Sequence, residues 1–270
     1  MSVRRIKPFL KWAGGKRWLT SSGVLPDAGQ YKRYIEPFLG SAAVYFHLQP
    51  RAAILSDVNA DLMELFRTIR DNSSAFRDAM EQHQREHSRD YYYAVRMSEP
   101  SDDIGRAARF LYLNRTCWNG LYRVNRKGEF NVPIGTKDSV LFCDDDFQGI
   151  ARVLAGAELI ASDFEPVIDR AKVGDLVFVD PPYTVRHNFN GFLKYNESIF
   201  SWADQVRLSE CVKAAVDRGA AVIVTNANHE SVLDLYKDGF SYHELTRASV
   251  LAASAARRGS TTEAIFLANV

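Results

Sequence analysis

Leu176, Val177, Phe178 and Val179 form an uninterrupted apolar run that ends at Asp180 and is followed by Pro181, Pro182 and Tyr183. A strand with one wet face alternates apolar and polar residues, so an unbroken run is the pattern of a strand covered on both faces. A sheet of that kind needs helices on each side. Asp180 then falls at the strand's carboxyl end, where open α/β sheets bind their ligands. Neither proline has a backbone N–H, so the ladder stops there. The proline carbonyls still accept hydrogen bonds, and the fixed proline φ stiffens the turn that carries Asp180 and Tyr183. Asp-Pro-Pro alone is an ordinary strand-to-loop boundary. The remainder of the chain must explain why an acid and an aromatic ring flank the two prolines.

Strand and helix alternate at both ends of the chain. Strands are predicted over 31–37, 52–57, 158–161, 176–180, 221–226, 242–245 and 264–268, and helices over 41–48, 202–217 and 230–237. Residues 59–115 read as helical, in the pieces 59–72, 73–86, 89–97 and 102–114, with caps at Ser73 and Asp102. "NRKG" at 125–128 makes 122–130 a hairpin. The expectation is an α/β, Rossmann-like, mostly parallel sheet with helices on both faces. A mostly helical lobe with a β-hairpin is inserted in it, and the final two strands are antiparallel.

The chain has 270 residues, 46% apolar and 25% charged, an ordinary globular composition. It has no apolar run near the ~20 residues that span a bilayer. Its N-terminus lacks the apolar core of a signal peptide. The expectation is a cytoplasmic protein with no membrane partner. Cys117, Cys143 and Cys211 are too widely spaced for a disulfide framework or a zinc motif, so no metal is expected. Net charge is only +1, but the cations are clustered. Residues 1–26, 104–128 and 246–262 carry Arg and Lys and no acid. The blocks are three solvated faces unless the fold joins them into a phosphate-tracking surface.

"YIEPFLGSAAVYFHL" reads as strand, glycine turn and helix. Gly40 allows close approach of a ligand to the backbone. The dinucleotide fingerprint G-x-G-x-x-G is absent, and "FLKWAGGKRW" is not a phosphate-binding P-loop, since Leu10 and Arg17 stand at its Gly and Ser/Thr positions. Asp57 closes the second strand, where an acid can take both ribose hydroxyls. Each feature also has a plain structural reading, a glycine turn and an Asp-x-Asn cap. Together, a ribose acid without a phosphate grip fits a nucleoside cofactor lacking phosphates, of which S-adenosylmethionine is one.

"KPFLKWAGGKRWL", "EPFLGSAAV", "SDVNADL", "FLYLNRTCWNGLYRVNRKGEFNVPIG" and "VDPPY" occur in that order. In these segments the chain resembles the Dam-like DNA adenine-N6 methyltransferases, the D12 class with α-group motif order, from Lys7 to about Asn269. The resemblance implies a methyltransferase that takes its methyl group from S-adenosylmethionine, acts on double-stranded DNA, most commonly at GATC, and works as a monomer in a bacterial or phage-infected cell. It assigns residues 1–58 and 146–270 to a catalytic domain and 59–145 to target recognition. Trp12 and Lys16 match the N-terminal cofactor motif, Phe38 and Gly40 the strand-turn motif, and Asp57 the ribose acid. Asp163 and Phe164 match the loop that holds the cofactor's adenine. Asp180 matches both a cofactor contact and the catalytic acid, with Pro181, Pro182 and Tyr183 completing the motif. One departure stands out. The family often has Phe-x-Gly-x-Gly, and here Ala42 holds the second Gly position, putting a methyl group toward the methionine end of the cofactor.

The chemistry agrees with the motif. The lone pair of adenine N6 is delocalised into the ring. Asp180 and the Pro181 carbonyl can accept its two hydrogens and aim the lone pair at a methyl donor. Tyr183 can stack on a base flipped from the duplex. A cytosine-C5 route needs a Cys nucleophile, usually after Pro, and none of the three Cys follows one. In the recognition segment the resemblance places Trp118, Asn119, Leu121 and Arg123 against DNA. Arg123 is suited to guanine and Trp118 to a wedge in the stack, although a core position is an equal reading for Trp118. Arg115, Arg126 and Lys127, with Arg257 and Arg258 near the C-terminus, are expected on phosphates. The other readings are a catalytically silent DNA-binding regulator and an RNA adenine methyltransferase. Restriction–modification, phage and housekeeping roles all stay open.

Overall fold

The apolar run at 176–179 is the body of β4 (Asp175–Val179), and all five residues are buried. In the computed structural model, residues 6–120, 122–125, 128–186, 200–248 and 260–270 are described. The other strands are β1 (Arg33–Glu36), β2 (Ala53–Asp57), β3 (Ala157–Ala161), β5 (Ala221–Ala227), β6 (Ser241–Ala248) and β7 (Ser260–Ala268). The α-helices are α1 (Ala43–Leu48), α2 (Ala60–Glu86), α3 (Arg89–Met97), α4 (Asp103–Thr116), α5 (Phe147–Leu154), α6 (Phe164–Ile168), α7 (Trp202–Asp217) and α8 (Glu230–Tyr236). The chain forms two compact units, each discontinuous in sequence. The first comprises Met1–Ser21, Leu39–Gln49 and Asp57–Ser162, the second Ser22–Phe38, Pro50–Ser56 and Asp163–Val270.

The second unit holds the parallel ladder. β1 lies between β2 and β4, and β4 pairs with β5, all parallel. Ile35 faces Val177, which faces Val222. β7 is antiparallel to β5, and β6 is antiparallel to β7. β2 ends at Asp57 in the first unit, where the Asp57 carbonyl accepts from the N–H of Ser162, just beyond β3. The sheet order is β3-β2-β1-β4-β5-β7-β6. The fold is α/β and the sheet mostly parallel. The expected final strand pair is antiparallel, and it is longer than its apolar pattern suggested. β6 runs eight residues because its edge is polar and exposed, so periodicity marks only its centre.

The first unit is mainly helical. Phe9 meets Phe66 edge-on at 5.4 Å and Phe76 meets Phe147 edge-on at 5.0 Å, forming its aromatic core. Asn59 caps α2 by accepting from the Leu62 N–H, and Asp102 caps α4 by accepting from Gly105. The break expected at 72–73 is present as a kink. Asn72, at non-helical angles (φ −137°, ψ 38°), divides α2 into two helical runs, and Ser73 begins the second. The hairpin at 122–130 is present, with a Val124–Phe130 bridge and a Gly128 N–H donating to the Asn125 carbonyl.

α2 also carries His83, whose Nδ1 is 2.8 Å from the Tyr91 hydroxyl and whose ring stacks 4.6 Å from Tyr112. Burial pushes its pKa down from 6.5 to about 4. Between those values the unfolded chain binds a proton that the folded chain does not. Stability from this group is therefore complete above pH 6.5 and lost as pH falls toward 4, by about 3 kcal/mol. Unfolding free energies measured from pH 7.5 to 4.5 are expected to fall over this window, and the slope in His83→Gln to be shallower. An equal slope in both proteins would refute the assignment.

Candidate functional site

The N-terminal motif is held by a helix residue. Asn114, fully buried in α4, accepts from the Lys11 N–H at 3.0 Å and donates to the Lys11 carbonyl at 2.8 Å. An amide pairing with both backbone groups of one residue acts as a short piece of sheet. It fixes the chain beside Trp12. Trp12 stacks at 6.2 Å on Phe110 and at 6.1 Å on Tyr122. Lys16 is buried, and its ammonium donates to the Gly14 carbonyl at 2.9 Å.

Gly40 joins this motif to the acid at the end of β2. Its φ is +48°, and a Cβ there would sit 2.8 Å from Trp12 Cδ1. Only glycine permits that approach. Its N–H donates to Asp57 Oδ2 at 3.0 Å, while Asp57 Oδ1 accepts from the Asn59 N–H at 3.0 Å. Burial pushes the Asp57 carboxyl above its ordinary value, and these N–H donors oppose the shift. Two residues on, Ala42 sits in the left-handed region (φ 56°, ψ 29°) and is fully buried. The position where the family often has glycine thus keeps a glycine-like backbone under an alanine, at a strain of about 1 kcal/mol. Trp12, Lys16, Gly40 and Asp57 belong together in the first unit.

The second unit holds the other candidates. Phe38 stacks on Phe164 at 5.5 Å, and Phe200 meets both. Phe164 is buried, and the guanidinium of Arg207 lies 4.0 Å from its ring centre. That guanidinium also grips Asp163 in bidentate fashion at 2.7 and 2.9 Å and reaches Glu165 at 2.7 Å. It holds the Asp163 carboxyl below its ordinary range. Arg207 lies on amphipathic α7, where its charge reads as one more solvated position.

Asp180 follows β4 and accepts at Oδ1 from the Thr225 hydroxyl at 2.8 Å. The Pro182 carbonyl accepts from Gln205 Nε2 at 3.1 Å, and Gln205 Oε1 accepts from Asn226 at 3.0 Å. Gln205, Asn226 and Thr225 are buried. Tyr183 donates from its hydroxyl to Glu263 Oε2 at 2.6 Å. Burial, then the charges of Asp180 and Glu263, push the Tyr183 phenol well above its ordinary value. Thr225, Gln205, Asn226 and Glu263 were not among the sequence candidates. Thr225 and Asn226 are marked only by polarity after the apolar run of "VIVTNA", and Gln205 and Glu263, in "WADQV" and "TTEAIF", carry no distinguishing signal.

Among the expected DNA contacts, Trp118 is 53% exposed and not a core aromatic. It sits on a short 3-10 turn (Trp118–Gly120) in which Asn119, also exposed, has φ 58°. Arg123 is exposed, with Nε on Asn131 at 3.1 Å. Arg115 is a correction. It is 5% exposed, and its guanidinium binds both oxygens of Asp145 at 2.6 and 2.7 Å and the carbonyls of Phe9 and Val140. A buried, compensated cation cannot meet a phosphate without breaking that network. Leu121, Arg126, Lys127, Arg257 and Arg258 lie outside the described residues.

Comparison with known proteins decides the family. The model of the D12 class N6 adenine-specific DNA methyltransferases matches residues 12–250. The chain belongs to this family. It is 35% identical, over 96% of its length and 94% of the relative's, to the type II methyltransferase M1.LlaDCHI of Lactococcus lactis subsp. cremoris. It is 30% identical to the DNA adenine methylase of Serratia marcescens, over 92% of this chain and 93% of that one. Over 90% of its length it is 37% identical to the DNA N-6-adenine-methyltransferase of Escherichia phage P1, matching 34% of that protein. It is therefore an adenine-specific DNA methyltransferase with a Rossmann-like methyltransferase fold, and DNA is its substrate. As a methyltransferase of this family it implies S-adenosylmethionine as methyl donor. Among the described residues no helix is long and apolar enough to cross a membrane, and no group of three or more His, Cys, Asp or Glu could hold a metal ion.

The residues present fit that donor. Asp57 is partly exposed and accepts from the backbone N–H groups of Gly40, Asn59 and Val58, which hold a carboxylate in place to accept from a ribose diol. The turn at Gly40 leaves no room for a Cβ against Trp12. Opposite effects are expected at the two turn positions. Gly40→Ala lowers unfolding free energy by about 2 kcal/mol, through strain and the clash with Trp12, whereas Ala42→Gly raises it by about 0.5 kcal/mol. Denaturant titrations of both variants check this, and a stable Gly40→Ala would contradict the turn geometry.

Proposed function

We propose that this enzyme transfers a methyl group from S-adenosylmethionine to N6 of adenine in duplex DNA, within GATC, on a base flipped out of the stack. The observation that carries the reading is the corner at 180–183. Thr225 orients the Asp180 carboxylate, and Gln205 occupies the Pro182 carbonyl. The Pro181 carbonyl is then the backbone partner of Asp180 for the two N6 hydrogens. Accepting both localises the N6 lone pair and points it, which is catalysis by orientation and charge. No covalent enzyme intermediate is needed, and Asp180 need not be a strong base, because the N6 proton becomes acidic once nitrogen is alkylated. When bound, S-adenosylmethionine supplies an electrophilic methyl group on a sulfonium centre. Trp12, Lys16, Gly40, Asp57, Phe38, Asp163 and Phe164 hold that donor, with Asp57 on the ribose hydroxyls.

Residues 59–145 recognise the target, and residues 1–58 and 146–270 carry the catalysis. Trp118 fills the gap beside the flipped base, and Asn119, Leu121 and Arg123 meet the DNA, Arg123 on guanine. Arg126, Lys127, Arg257 and Arg258 bind phosphates. The enzyme acts as a monomer.

Labelled methyl groups are expected to enter GATC duplexes, with at least tenfold less in duplexes lacking GATC and in RNA of the same sequence. Asp180→Ala is expected to lower the rate by about 10²- to 10³-fold with DNA affinity little changed. Tight DNA binding without any methyl incorporation would replace this function with that of a silent regulator. Equal incorporation without GATC would remove the site assignment alone.

A further inference from the structure

Glu263 is 1% exposed in β7, between three hydroxyl residues and the apolar run Ala264–Ala268. In β7 it faces Ala227 of β5 and Leu245 of β6. A buried carboxylate is expensive unless strong hydrogen bonds compensate it. One of its oxygens, Oε2, accepts from the Tyr183 hydroxyl at 2.6 Å, a short bond to a charged acceptor. The Thr225 hydroxyl reaches both Asp180 Oδ1 and the Tyr183 phenol. One side chain on β5 and one on β7 thus tie the two ends of the corner at 180–183.

The geometry has a specific effect on the ring. The backbone end of Tyr183 is stiffened by two prolines. A phenol O–H lies close to its ring plane, so a fixed acceptor restricts both χ1 and χ2. We propose that Glu263 is a positioning residue for the methyl-transfer reaction, setting the plane of the Tyr183 ring against which the target adenine stacks. This rests on the base-flipping function proposed above. It does not make Glu263 catalytic, since Glu263 acts only through Tyr183. A carboxylate suits this role better than a neutral acceptor, because its hydrogen bond is about twice as strong. Ordering the ring beforehand removes an entropic cost that the flipped base would otherwise meet at each turnover.

A double-mutant cycle on GATC duplex tests this, with the unfolding midpoint of every variant measured alongside. Glu263→Ala is expected to lower kcat by about 10- to 100-fold, the effect of losing one hydrogen bond to a charged group. KM for S-adenosylmethionine is expected to stay within about twofold. Glu263→Gln, which keeps an acceptor oxygen, restores most of the rate. In a Tyr183→Phe background, which has no hydroxyl to hold, Glu263→Ala produces little further loss. Should the alanine variant fail to fold, Glu263→Met, close in shape and unable to accept strongly, takes its place in the cycle. An inactive wild-type enzyme overturns the proposed function and this inference with it. With an active wild-type enzyme, either of two results overturns the inference alone. One is full activity in Glu263→Ala. The other is the same fold loss whether or not the Tyr183 hydroxyl is present.

Discussion

A carboxylate at the mouth of a fully buried strand has to be held by something other than the sheet. At Val179 the ladder still satisfies the backbone; at Pro181 and Pro182 it cannot, because neither carries a backbone N–H. The corner is consequently supported from three elements that arrive much later in the chain. Thr225 comes from β5, Gln205 from α7 and Glu263 from β7. Each binds a different part of the corner: the acid, a proline carbonyl and the tyrosine. Side chains tied at both ends are preorganised, and preorganisation removes the cost of orienting them when a ligand binds.

The strand order explains how this support is possible. β7 enters between β5 and β6, antiparallel to both. Had β6 paired with β5 directly, as sequence neighbours commonly do, β7 would have been the edge strand. Glu263 would then have stood on a sheet edge. Insertion makes β7 an interior strand, and Glu263 is buried because of it. The Tyr183 hydroxyl, donating to its Oε2 at 2.6 Å, helps to offset the cost of an acid in that place.

The fold was legible in the chain where burial leaves a periodic mark. β4 is an apolar run, and α3 and α7 begin and end where their patterns do. Asp102 announced its helix, and Ser73 marked the second helical run of α2, which starts after the kink at Asn72. The motif residues of the site could be named from the sequence, since Gly40, Asp57 and the Asp-Pro-Pro-Tyr corner are local signals. Their supports could not. Thr225, Gln205, Asn226, Asn114 and Glu263 act over separations of 21 to 103 residues, and a polar residue in an apolar stretch does not say which partner it meets. Ala42 lies between these cases. Its departure from glycine is visible in the sequence, but only the φ of 56° shows that the backbone kept the glycine conformation.

Charge clusters were the least reliable guide, and the block at 104–128 shows why. Arg106 is drawn to Glu64 and Asp103. Arg109 donates to the carbonyls of Val95 and Arg96. Arg115 is buried on Asp145. These three sit on a helix that packs against α2, where a long cation finds acids and carbonyls within reach. Arg123 lies beyond the helix, on an exposed hairpin strand, and its contact is a neutral amide. A guanidinium bonded to a neutral partner keeps its charge uncompensated. Reading bases requires a donor fork that is not already balanced by an acid. Arg109 is also without an acid but is half-buried with its donors on two carbonyls, so exposure is what sets Arg123 apart among the described arginines of the block. A count of basic residues in the sequence could not have made that selection, because it depends on which acids the fold brings to each one.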